Sequence, residues 1–116
     1  MHILSEKDKD NIINIIDSIE KILKYTNDLD TIDKFEKDSK TIDAVLMNLI
    51  VIGESVSKFS DEFKDIYNEI DWKNIKGFRN IAVHDYFGVD IEEVWQILKN
   101  HIPKLHEYTK RIISVP

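Results

Sequence analysis

The chain has 116 residues, 42% hydrophobic and 33% charged, with three Gly, two Pro and no Cys, which suits one sizeable core and is too short for two. That composition excludes a disordered chain, a disulfide framework and a thiolate zinc site, and so few turn-forming residues argue against a β sandwich. The net charge of −6 counts against avid nonspecific binding to a polyanion.

The N-terminus meets charges of both signs before any apolar stretch, unlike a secretory signal. The expected location is the cytoplasm. Ser5, with Asp8 three residues on, marks a helix start in the manner of a capping box. Ile12, Ile15, Ile16, Ile19, Ile22 and Leu23 then follow an i, i+3, i+4, i+7 pattern, predicting an amphipathic helix to about Tyr25. Thr26 to Asp28 reads as a loop, and Asp30 or Thr31 can cap a short helix through Ile32 and Phe35.

A second long helix is expected from about Lys40 to Phe59. Its longest uncharged run, Ala44 to Gly53, is half the roughly 20 residues that cross a bilayer, so no membrane span is expected. Because this run is apolar on nearly every side, the helix should be central in a bundle or line a subunit interface. Gly53 weakens a helix interior by about 1 kcal/mol relative to Ala, which implies that another helix approaches closely there.

Asp61 to Ile70 reads as a short helix with Phe63, Ile66 and Tyr67 on one side. Asp71 caps the next, carrying Trp72, Ile75, Phe78 and Ala82; Gly88 breaks the pattern and Asp90 caps again. The last helix carries Ile91, Val94, Trp95, Leu98, Ile102 and Leu105, and Pro103 should kink or split it. No strand alternation or repeat intervenes. The fold class is all-α, one domain over residues 1–116, a bundle of four to five helices.

No Gly-rich phosphate loop, nucleophile elbow or metal-binding His pair occurs, so neither a metal nor another cofactor is expected. The 59 N-terminal residues balance to −4 and the remainder to −2, while beyond Gln96 four cations face one acid. A nucleic-acid surface would therefore sit in the second half. There, Arg79, Asn80, His84 and Tyr86 fall within eight residues. A His with an ordinary pKa near 6.5 can take a proton from a ribose 2′-hydroxyl or give one to a leaving oxygen. A guanidinium fork can hold nonbridging phosphate oxygens. In an unbroken helix, however, Arg79 and His84 diverge by about 140 degrees while Arg79 and Tyr86 share a direction. His84 joins them only if the helix loosens before Gly88 or a second subunit supplies the partner.

Arg79-Asn80-Ile81-Ala82-Val83-His84-Asp85-Tyr86 resembles the Arg-Asn-x-x-x-His-x-Tyr motif of the HEPN superfamily, in its HepT-like toxin branch. The flanks are similar too: Ile52-Gly53-Glu54-Ser55, the lead of Trp72, Ile75 and Gly77, then Phe87-Gly88, Asp90, Trp95 and Pro103-Lys104-Leu105. Met47 and Ile50 depart from the branch, where polar residues are common. The resemblance implies a HEPN-like homodimeric, metal-independent endoribonuclease toxin acting on tRNA or mRNA, with the motifs of two subunits meeting in a cleft. It further implies a nucleotidyltransferase antitoxin that silences the toxin by attaching AMP to the motif Tyr. Carried over by position, Arg79 and His84 would be catalytic, Asn80 substrate-orienting, Tyr86 the AMPylation site and Glu54 a further cleft residue. The rival readings are a non-catalytic helical module that docks or presents nucleotides to a nucleotidyltransferase, and a plain structural dimer.

Overall fold

The computed structural model describes residues 4–86 and 90–114, apart from the side chains of Asp85 and Tyr86. These residues form eight helical segments and no strand: α1 (Glu6–Thr26), α2 (Ile32–Glu36), α3 (Ser39–Ser57), α4 (Asp61–Ile66), α5 (Trp72–Lys76), α6 (Phe78–Tyr86), α7 (Ile91–Asn100) and α8 (Ile102–Ser114). The expected all-α bundle is what forms. Its rods are α1, α3, α6, α7 and α8, while α2, α4 and α5 are segments of five or six residues within connections.

Short polar side chains set the helix starts. Ser5, Thr31, Asp38, Ser60, Asp71 and Asp90 each accept a hydrogen bond from the backbone N–H three residues on, satisfying a donor that the helix itself leaves free. The break before Pro103 is observed as well: α7 ends at Asn100 and α8 begins at Ile102. Pro103 thus lies in a first turn, where a missing N–H costs nothing. Gly88, expected to end the preceding helix, lies outside the described residues.

The core is aliphatic along the long helices. Ile12, Ile15, Ile19 and Ile22 of α1 face Leu46, Leu49 and Ile52 of α3, and α8 covers the other flank of α1 with Leu105 and Ile112. An aromatic wedge turns the chain after α3. Phe59 stacks on Phe63 at 4.1 Å between ring centroids, and the Trp72 ring meets Phe59 edge-on at 5.2 Å. The Trp72 indole N–H donates to the Tyr67 carbonyl at 2.7 Å, so its one polar atom is satisfied while its rings are buried. The wedge fixes where α5 starts, and therefore where α6 can run.

Three local expectations differ from what forms. The Asp8 carboxylate, expected to complete a cap at Ser5, accepts instead from the Ser60 N–H at 3.0 Å and the Ser60 hydroxyl at 2.7 Å. Ile66 is 45% exposed instead of joining Phe63, because Tyr67 leaves helical geometry and the face is not continued. Finally, of the two places expected for α3, full burial at the centre of the bundle is not what forms, since Met47 is 61% and Val51 36% exposed; the alternative of lining a subunit interface stays open.

Candidate active site on the edge of helices α3 and α6

Phe59 touches Trp72 and Gly53 touches Arg79, so advancing through α5 and α6 means retreating along α3. The two helices run antiparallel. Gly53 is the point of closest approach: a Cβ built there would lie 2.8 Å from the Arg79 Cβ, 2.9 Å from the Arg79 nitrogen and 2.9 Å from the Lys76 carbonyl oxygen. Two of those neighbours are backbone, so relief would require the helices to separate. The expectation that Gly53 marks a close approach is met, and the helix that approaches carries the Arg-Asn-x-x-x-His motif.

Glu54, next to Gly53, forms an ion pair with Arg79, its Oε1 against the guanidinium Nε. Both side chains are about half exposed, at 46% and 49%, and such an exposed pair contributes only about 0–1 kcal/mol to stability. The guanidinium Nη1 also donates a long hydrogen bond, 3.4 Å, to the Asn80 Oδ1. Arg79, Asn80 and Glu54 are thus together. They line a groove of about 590 Å³ with Gly53, Ser57, Lys73 and Lys76.

His84 stands apart from that groove. Helix α6 is unbroken through Tyr86, so the chain does not loosen to bring the imidazole round within residues 78–86. Phe78 and Ala82 are buried while Arg79, Asn80, Val83 and His84 are exposed. At about 100 degrees per residue, Arg79 and His84 therefore bracket the exposed arc of α6, with Asn80 and Val83 between them. One helix cannot aim both groups at one phosphate; two helices placed face to face could, each edge meeting the opposite edge of its twin. Tyr86 belongs to the last turn of α6, and its side chain lies outside the described residues.

Lys73, Lys76, Val51 and Val83, to which sequence reasoning gave no site role, also stand here. Lys73 and Lys76 share the groove with Arg79. Their i, i+3, i+6 spacing was a readable signal, hidden by a net acidic composition. Met47, Val51 and Val83 form an exposed apolar flank, with Met47, Val51 and Glu54 on one stripe of α3. Among the described residues no three His, Asp or Glu side chains gather as metal ligands, and no helix is long and apolar enough to cross a membrane.

Comparison with known proteins bears on this edge. The family described as "Ribonuclease HepT-like" matches residues 15–112. A Methanocaldococcus jannaschii protein named "Putative RNase MJ0127" is 37% identical over 103 residues, covering 89% of this chain and 84% of that one. A longer protein of the same organism, "Gamma-glutamylcyclotransferase and putative RNase MJ0434", is 39% identical over 101 residues, 87% of this chain and 45% of its own length. "Probable ribonuclease HepT" of Thermococcus cleftensis is 35% identical over 97 residues, 84% of this chain and 87% of its own. No solved structure matches.

Proposed function

The chain belongs to the HepT-like ribonuclease family, and from that premise we propose that it is a metal-independent endoribonuclease toxin whose centre is built by two copies of the α6 edge. The observation that carries this reading is the arrangement of the motif. Arg79 is held at the groove by Glu54, and His84 sits exposed on the other side of the same unbroken helix. The apolar flank of Met47, Val51 and Val83 beside both groups is the surface through which a second copy docks. The apolar area exposed at such a flank gains about 25 cal/mol per Å² when covered.

In the resulting cleft, His84 of one subunit takes the proton from a ribose 2′-hydroxyl, and the freed oxygen attacks the adjacent phosphorus. The bond from phosphorus to the 5′-oxygen breaks, the leaving 5′-oxygen takes up the proton that His84 holds, and a 2′,3′-cyclic phosphate remains. Arg79 of the other subunit swaps its partner from the Glu54 carboxylate to the nonbridging phosphate oxygens, and favours the charge that develops on them. Asn80, fixed one residue along, orients the phosphate or ribose. The substrate is RNA, tRNA or mRNA. A nucleotidyltransferase antitoxin attaches AMP to Tyr86 and so silences the enzyme. The chain works in the cytoplasm.

Incubating the protein with tRNA and mRNA tests this reading. The wild type should leave 2′,3′-cyclic phosphate ends without added metal, and Arg79→Ala or His84→Ala should slow cleavage by about a hundredfold or more. Cleavage that both variants retain would overturn it. The rival reading, a module that docks a nucleotidyltransferase without cutting RNA, predicts no cleavage by any of the three proteins.

A further inference from the structure

The groove beside Arg79 holds more positive charge than the Arg79–Glu54 pair needs. Lys73 lies on α5, Lys76 at its end, and Arg79 in the first turn of α6. Gly77 between them keeps right-handed helical angles, φ −63° and ψ −16°, so the path from one helix to the next is nearly continuous. The three cations therefore follow at i, i+3 and i+6, rising about 4.5 Å and turning about 60 degrees per step. All of them border the same groove.

Their partners differ. Arg79 is paired with Glu54, whereas among the described residues neither lysine ammonium is in an ion pair, and both lysines are exposed. Three cations against one carboxylate is a local excess of two in a chain whose totals are 16 cations and 22 acids. Asn80, on the α6 wall, adds a neutral amide donor, while the Ser57 hydroxyl on the α3 wall donates to the Glu54 carbonyl oxygen at 2.6 Å. Gly53, bare of any side chain, also borders the groove. Two exposed ammonium groups with no ion-pair partner among the described residues, bordering one groove with the Arg79 guanidinium and the Asn80 amide, are the chemistry of a polyphosphate track.

We infer that Lys73 and Lys76 bind RNA phosphates next to the one held by Arg79, making the α5–α6 edge the rail along which single-stranded RNA enters. The inference rests on the nuclease reading above. The lysines act through charge and position on the substrate and take no part in proton transfer. Substrates of one or two linkages therefore miss the rail, and longer single strands gain from it.

The test is binding of a labelled single-stranded RNA at a series of KCl concentrations, with His84→Ala as the common background to prevent cleavage. For a single strand, every phosphate deprived of its cationic partner lowers the salt slope of log K by about 0.7. Lys73→Gln with Lys76→Gln should flatten the slope by about 1.4 and weaken binding at least tenfold at low salt. Lys73→Arg with Lys76→Arg should keep the slope, and Lys21→Gln on α1 should leave it unchanged. With His84 intact, the double Gln variant should raise KM with kcat preserved, and its melting temperature should match the wild type. An unaltered slope and KM in an enzyme that still cleaves RNA overturns the rail alone. Absence of RNA binding and cleavage by the unsubstituted protein overturns both the rail and the nuclease reading.

Discussion

Among the carboxylates that reach across to another helix, Asp8 and Glu54 are held in opposite ways. Asp8 is 2% exposed, with both oxygens engaged by Ser60, and the Ser60 hydroxyl in turn accepts from the Phe63 N–H to cap α4. Glu54 is half exposed and touches one guanidinium nitrogen. The first pairing is a lock between α1 and α4. The second leaves Arg79 with free donors facing solvent, so the guanidinium can exchange its partner for a phosphate at little cost. Burial with full hydrogen bonding fixes a fold, whereas partial exposure with incomplete bonding keeps a group available for chemistry.

The contrast is sharpest in stability. Asp8→Ala removes the acceptor of the half-buried Ser60 N–H and hydroxyl proton, for an expected loss of about 2–3 kcal/mol and roughly 10 °C in melting temperature, with cleavage intact in the folded fraction. Glu54→Gln should cost less than about 1 kcal/mol while lowering KM for RNA, since the competing charge is gone. Thermal melts of the two variants beside RNA kinetics separate the roles; equal losses of stability would erase the distinction.

Acid sharpens the same contrast. Burial works to raise the Asp8 carboxyl, but the hydrogen bonds from the Ser60 backbone and side chain and from Ser5, with Lys7 nearby, outweigh it and hold the group below its ordinary value. The unfolded chain is then the first to take up the proton as pH falls. The stabilisation is complete above about pH 4 and is lost as pH drops through the lower, folded value. Asp8→Asn should flatten this acid arm of the stability curve.

A smaller effect on stability, with a larger one on activity, is expected at Gly53. Ala there gains about 1 kcal/mol in helix propensity and loses about 1–3 kcal/mol to overpacking. The net destabilisation is about 1 kcal/mol, but the shift of Arg79 should slow RNA cleavage more than tenfold. Unchanged cleavage by Gly53→Ala would show that the α3–α6 spacing does not position the guanidinium.

The sequence carried much of this edge because its signals are local. Gly53 inside an apolar helix announced a close approach, Asp71 and Asp90 announced helix starts, and the spacing of Arg79 and His84 already stated their divergence. What stayed hidden depends on distant partners. The Asp8–Ser60 lock joins residues 52 apart in sequence, and nothing about Asp8 alone separates it from a cap residue. The exposure of Met47 follows from which faces of α3 the bundle covers, which an apolar run cannot reveal. Lys73 and Lys76 were concealed by the acidic balance of the chain around them.

The claim at the centre is that each pocket takes Arg79 from one subunit and His84 from the other, and mixing two inactive variants tests it most directly. Arg79→Ala and His84→Ala subunits, unfolded together and refolded, should recover about a quarter of the wild-type rate of RNA cleavage. Half of randomly paired dimers then carry one pocket in which both groups are intact. A mixture as inactive as its two components would contradict the shared pocket.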